Sequence, residues 1–271
     1  MSKKTLALAL AKEKYLTGSR PKKLLGADNV KLRKAETKNW KGLGLSLAPS
    51  DVSGHEMCAS KSPECAKHCI FTSGMAAKNF HSKEIPCNPI WVSRIVKTLW
   101  FHRDREAFMT RLYRDISNNS DAAIRLNVFS DWQWERQRVT VTPQLAERYG
   151  TKSGTFKNLM EVFPDTQFYD YTKHAARMHR QNPSNYHLTF SMTENNSAQA
   201  IAVIEAGMNV AVVASHKTSS FWGRTMIDGD EHDLRFLDPT GVFIGLAPKG
   251  ELKKDPTSGF IYDPTFSAIA A

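Results

Sequence analysis

No apolar run in this sequence approaches the ~20 residues that a membrane-spanning helix needs, so the chain reads as soluble, with no membrane partner. No strand-like run is followed by a G-x-G-x-x-G turn, which argues against a dinucleotide-binding fold. The serines and histidines form no nucleophile elbow or triad pattern, so hydrolase chemistry of that kind has no support. Cysteine is scarce: the four in 271 residues are Cys58, Cys65, Cys69 and Cys87, all within one short stretch. In an oxidising compartment such a set could form two disulfides, whereas in a reducing one clustered thiols are more often metal ligands.

Acidic residues are thin at the start of the chain. Residues 1–41 hold twelve Lys or Arg against Glu13, Asp28 and Glu36, a net of +9, while the remaining 230 residues carry only +1. The basicity therefore belongs to an N-terminal arm, expected over 1–41, and a single body is expected over 42–271. A basic arm can hold phosphate backbones by counterion release, which makes nucleic acid a partner to consider. The opening Met1-Ser2-Lys3-Lys4 and the apolar run at 5–11 imitate a signal peptide. The run is short, and charged residues follow with no separate cleavage segment, so a cytoplasmic helix or arm is expected.

Hydrophobic patterning in the body alternates between strand and helix. Apolar strands are expected at 43–47, 123–129, 166–171, 186–192, 209–214 and 242–246, bounded by turn residues, with helical periods at 89–117, 143–162 and 197–207 between them. Alternating βα units predict a parallel sheet. Six strands suit a partial or irregular TIM-like (β/α) barrel better than a complete eight-stranded one. Polar side chains follow the strands: Asp131, Lys173, Ser191 with Thr193, His216 with Lys217, and Lys249. In a barrel these ends form the active face, so Asp131, Lys173, Ser191, His216 and Lys249 are the candidate catalytic or substrate-lining residues.

The cysteine stretch follows the first of those strands, with C-x6-C-x3-C spacing and Cys87 after seventeen further residues. Ser62-Pro63-Glu64 is a helix start, and Gly74 a stop, which sets Cys65 and Cys69 one turn apart on one face. The helix N-terminus and the nearby Lys61, Lys67 and His68 should lower the thiol pKa toward the thiolate that soft metals need. Paired C-x2–4-C knuckles, the habit of structural zinc, are absent. Uneven gaps suit a [4Fe–4S] cluster bound by Cys58, Cys65, Cys69 and Cys87, with Zn2+ as the alternative. His55, His68 and His81 are near enough in sequence to substitute as ligands.

Three segments resemble the gene-eighty-eight family of phage and prophage proteins: residues 45–49 leading into Cys58, Cys65 and Cys69; Phe168-Tyr169-Asp170-Tyr171-Thr172-Lys173; and 230–238 before 245–250. The resemblance spans most of 40–250 and implies a phage origin, hence a viral protein in the host cytoplasm. The layout is also similar to radical S-adenosylmethionine enzymes, which carry a cluster in the loop after the first strand of a six-strand partial barrel. Those enzymes leave one iron open for S-adenosylmethionine, and a fourth cysteine ligand at Cys87 would close it. Two functions follow as expectations. One is an iron–sulfur redox or radical-type enzyme served by an electron donor. The other is a nucleic-acid or host-factor binding protein with a structural metal. Residues 228–233 are rich in oxygen ligands but lack the spacing of a calcium loop, and read as an acidic surface turn.

Overall fold

The computed structural model describes residues 2–27, 30–78 and 87–265. In chain order the strands are β1 (Leu25–Gly26), β2 (Gly42–Leu45), β3 (Ala123–Arg125), β4 (Val139–Val141), β5 (Gly154–Phe156), β6 (Phe168–Thr172), β7 (Tyr186–Ser191), β8 (Val210–Val213), β9 (Ser220–Phe221), β10 (Arg224–Asp228) and β11 (Phe243–Leu246). All six expected strands form, as β2, β3, β6, β7, β8 and β11, and they lie side by side in sequence order, all parallel. Beyond β11 the sheet gains β10, parallel, and then β9, antiparallel, while β1 adds antiparallel to β2.

The fold is thus a mixed α/β fold around a mostly parallel nine-strand sheet, and the expected barrel is not what the pairing gives. The order runs from β1 to β9, and these two ends do not pair with one another among the described residues. Closure needs strand number, tilt and register to agree. Here each end carries an antiparallel strand of two residues instead.

Pleating sorts the side chains onto two faces. Ile124, Phe168, Leu188, Phe190, Val210 and Phe243 point outward into the main core. That core is completed by Phe108, Met109, Leu112 and Ile116 of helix Arg105–Ser117 and by Ala200, Val203 and Ile204 of helix Ser197–Glu205. Helices on this one face are what same-direction right-handed crossovers produce. The inner face carries Arg125, Tyr169, Tyr171, His187, Thr189 and Ser191 by register. Leu32, Ala35 and Leu234 pack over part of it against Ala123, Val128 and Tyr169.

Two expected helices are broken. The period over 89–117 divides at Asp104, which ends helix Pro89–Arg103 and caps the next by accepting the Ala107 amide at 3.2 Å. The period over 143–162 gives helix Pro143–Tyr149, stopped by Gly150 at φ 66°, then β5 and a short helix Leu159–Val162. Residues 1–41 contribute helix Lys3–Leu16, whose Ala7 and Ala11 pack against Val92, Ile95 and Leu99. From the same stretch Lys34 donates to the Asp230 carbonyl at 2.6 Å, and Lys41 to Asn119 Oδ1 at 2.7 Å.

Glycines in β2 let the 30–38 segment lie directly on the sheet. A Cβ at Gly44 would stand 2.5 Å from Val128 Cγ2 and 2.7 Å from Leu32 Cδ1, and one at Gly42 would run into the Leu32 backbone carbonyl. Gly42→Ala is therefore expected to destabilise the protein by about 1–3 kcal/mol, read as a lower urea midpoint at unchanged slope. An unchanged midpoint would mean that the 30–38 segment is not packed there.

Candidate functional site

The cysteine loop leaves β2 and settles over the carboxyl ends of the parallel strands. Its first turn is held by the Ser50 carbonyl, which accepts the Met57 amide at 3.0 Å, and by the Met57 carbonyl, which accepts the Asp131 amide at 2.9 Å. Cys58 is thereby set beside the end of β3. The Ser50 amide donates to Cys58 Sγ at 3.4 Å, and Cys58 Sγ lies 3.6 Å from the Phe129 carbonyl. Ser50 adopts φ 50°, a conformation uncommon for a residue with a side chain, and strain of this kind concentrates at functional sites.

Helix Pro63–Lys67 starts where the sequence predicts, with Ser62 Oγ accepting the Cys65 amide at 3.1 Å and proline in the first turn. It ends seven residues earlier than expected. Cys69 falls beyond it in extended backbone (φ −55°, ψ 126°), ahead of the 3-10 turn Ile70–Thr72. Arg94 holds that turn by donating to the Phe71 carbonyl at 2.7 Å, a tertiary contact that overrides local helix preference. Cys65 and Cys69 are thus not a one-turn pair on a single helix.

Glu194, in the loop after β7, docks the short helix. Its Oε2 accepts from Ser62 Oγ at 2.7 Å and its Oε1 accepts the Glu64 amide at 3.0 Å, so one carboxylate takes the charge-favouring position at a helix N-terminus. Glu194→Ala strips both donors of their partner. It should cost about 1–3 kcal/mol and open the 58–78 loop to limited proteolysis. Wild-type cleavage rates in that variant would rule the clamp out.

The four cysteines do not form one metal-ligand cluster. Among the described residues the single group of potential ligands within reach of one ion is Glu64, His68 and Asp255. Those three already bond one another and their neighbours: His68 Nε2 lies 3.3 Å from Glu64 and 3.1 Å from Asp255, and Lys67 reaches Asp255 at 2.9 Å. Cys87 is buried in an apolar cluster with Trp91, Val92 and Ile95, against which Cys69 also packs, and among the described residues the charged group that bears on its thiol is Lys14. Cys58, Cys65 and Cys69 all act electrostatically on Lys173. Burial pulls the Lys173 ammonium toward neutrality, but Cys65, Asp131, Cys58 and Cys69 outweigh it and raise its pKa.

The thiols themselves shift against expectation. Burial pushes Cys58 up to about 12, opposed by the Ser50 amide and Lys173. Burial likewise raises Cys69, opposed by a hydrogen bond from the Phe71 amide. The positive potential anticipated from Lys61, Lys67 and His68 does not prevail, because Lys61 pairs with Glu56, and Lys67 and His68 pair with Asp255.

Asp131 works as a brace. Its Oδ2 accepts the Lys173 amide at 2.8 Å and its Oδ1 accepts from Arg177 at 2.7 Å. The other strand-end candidates gather elsewhere. Lys249 pairs with Asp230 at 2.5 Å, Ser191 presents its carbonyl to Asn196 at 3.2 Å, and His216 is exposed beside Lys217, which pairs with Asp228. His216 and Lys217 line a cleft with Met226, Ile227 and Leu246 at the β8–β11–β10 end. Three strand spacings, roughly 14 Å, separate β6 and its Lys173 from β11 and its Lys249. His55 stacks on His102 at 4.1 Å, and His81 lies outside the described residues.

The sequence model of the family described as gene product 88 matches residues 14–264. The chain belongs to the gene product 88 family. No curated protein matches it, and no solved structure does. Two of the family-like segments meet in the fold. Phe168-Tyr169-Asp170-Tyr171-Thr172-Lys173 is β6 with its strand-end lysine, and Tyr169 of that strand packs on Phe236 of the 230–238 segment, ring centroids 5.7 Å apart. The acidic surface turn expected at 228–233 holds for the partly exposed Asp228 and Asp230 and the exposed Glu231 but not for its end: Asp233, like Arg235 beyond it, is fully buried, and Asp233 takes Arg125 at 2.8 Å. The apolar Leu234 and Phe236 alternating with those charges were the available signal.

Proposed function

We propose that Cys58, Cys65 and Cys69 of this gene product 88 chain hold an iron–sulfur cluster beside Lys173, and that the protein is a redox or radical-type enzyme. What supports this reading is that Cys58 and Cys69 receive backbone N–H bonds at sulfur and that both, with Cys65, lie within electrostatic reach of Lys173. Amide-to-sulfur bonds and a fixed positive charge suit an anionic sulfur-ligated group better than three free thiols. The uneven cysteine spacing, without paired knuckles, favours a cluster over zinc. A single ion needs every ligand within reach of one centre, whereas each cysteine on a cubane binds its own iron.

Such a cluster supplies electron transfer, and with three cysteine ligands it keeps one iron open. The chain's own groups set the conditions. Lys173 favours the more negative, reduced state. Asp131 fixes the Lys173 backbone, and Glu194 fixes the helix that carries Cys65. Burial raises the Cys58 and Cys69 thiols, so loading must expel protons, and cluster incorporation should improve as pH rises from 6.5 to 8.5.

Anaerobic reconstitution with iron and sulfide tests the reading. The loaded protein is expected to show a broad absorption band at about 400 nm. Lys173→Gln should load but shift the midpoint potential to more negative values, and Lys173→Arg should restore it. A protein that takes up no iron under these conditions would remove the proposal.

A further inference from the structure

Below the cysteine loop, this sheet face holds a concentration of buried polar atoms without a hydrogen-bond partner among the described residues. Arg125 Nε, Tyr171 Oη, His187 Nε2, Thr189 Oγ1, Asp233 Oδ1, Arg235 Nη1 and Asp238 Oδ2 are all buried without a hydrogen-bond partner. Buried polar atoms of this kind are met in native proteins by protein groups, ordered water or a ligand, because leaving one unmet costs most of its desolvation penalty. They lie on neighbouring strands β3, β6 and β7 and on the 233–238 segment. Tyr171 and Thr189 are cross-strand partners in register, the Arg125 guanidinium sits 4.6 Å over the Tyr171 ring, and the charges that act on the Tyr171 hydroxyl are Asp233, Arg235, Arg125 and Asp238.

The built-in pairings do not use up the donors. Arg125 Nη1 donates to Asp233 Oδ2 at 2.8 Å, leaving Nε. Arg235 Nη2 donates to the His232 carbonyl at 2.7 Å and lies 3.1 Å from His232 Nδ1. Arg235 Nε is 3.2 Å from Asp238 Oδ2, outside hydrogen-bonding alignment, and Nη1 has nothing. Two guanidinium groups, a phenol and a threonine hydroxyl therefore keep unused hydrogens on this part of the sheet face. Burial and Arg235 lower His187 to about 4, so the imidazole is neutral and adds no charge. Arg235, Asp233 and Thr189 are fully buried, while Tyr171 and His187 are half-buried as residues, with Tyr171 Oη and His187 Nε2 themselves buried.

We infer that this face binds a small oxyanion, a carboxylate or a phosphate group, received by Arg235 and Arg125 with Tyr171 and Thr189, and with Asp233 and Asp238 free to accept from a hydroxyl or amine on the same ligand. An oxyanion supplies several acceptor lone pairs at once and matches the fork of a guanidinium. The inference stands apart from the cluster reading, since it needs neither iron nor the cysteines.

Calorimetric titration of inorganic phosphate, and separately of malonate, into the full-length protein without cluster, with sodium chloride as the ionic-strength control, tests it. At least one of the two should bind saturably with a dissociation constant below about 1 mM, and which one does so distinguishes a phosphoryl from a carboxylate ligand. Arg235→Lys should weaken binding by about tenfold or more, because the fork is lost. Thr189→Val is the variant that keeps the fold: its hydroxyl has no partner to lose, so stability without ligand should hold or rise while anion affinity falls by about threefold. If neither anion binds saturably below about 10 mM, or if Thr189→Val binds as wild type does, the inference fails.

Discussion

Single replacement of Cys58, Cys65 or Cys69 by serine is expected to abolish incorporation of an iron–sulfur cluster, whereas Cys87→Ser should load as the wild type does. The contrast follows from position. Cys58 and Cys69 receive amide hydrogens at sulfur, and together with Cys65 they act on the Lys173 ammonium, while Cys87 is buried beside Trp91 and Val92 with Lys14 as its charged neighbour. Serine is nearly isosteric but is a poor ligand for a soft iron centre, so loss of iron, sulfide and the visible band reports ligation more than folding. Far-ultraviolet circular dichroism of each apo variant separates the two. If Cys87→Ser loses the cluster along with the other three, the fourth ligand is Cys87, no iron stays open, and electron transfer or a structural role replaces radical chemistry. If all four variants load, the thiols are not ligands.

What the sequence made legible follows the range of the interaction. The six parallel strands are short apolar runs bounded by turn residues, and each is a local signal that survived folding. Their sequential order was also readable, because consecutive βα units add neighbours. Closure was not. Whether a sheet curls into a ring depends on its edges, and β1 and β9 are two residues long, too short for any period to register. The same division holds at the site. Lys173 and Asp131 were visible as polar residues following strands. The early end of the Cys65 helix and the burial of Cys87 go with Arg94 reaching Phe71 and with packing against helix Pro89–Arg103, which no local pattern records. Arg177 was missed altogether, since it sits in a short basic run with His179 and Arg180 that looks solvated.

That arginine carries the second large expectation. Arg177→Met should destabilise the protein by about 3–5 kcal/mol, measured as a fall in the urea midpoint at unchanged slope. Arg177 is fully buried and binds Glu135 through two parallel bonds of 2.9 and 2.8 Å, Asp131 at 2.7 Å and the Tyr186 hydroxyl at 3.0 Å. Burial alone would lower its pKa, but Tyr186, Asp131 and Glu135 raise it, so the guanidinium is locked in its charged form. Methionine fills much of the volume and removes the charge, leaving two carboxylates without their cation in a site that water barely reaches. Adding Glu135→Gln to Arg177→Met should recover part of the loss, because one of the stranded charges is then gone. Arg177→Lys keeps the charge without the fork and should fall between. Asp131 also holds the Lys173 amide, so the same substitution loosens the ammonium on which the three thiols act, and cluster loading should fall even under conditions where the variant remains folded. A destabilisation below about 1 kcal/mol would mean that water reaches Asp131 and Glu135 and that the network does not brace the site.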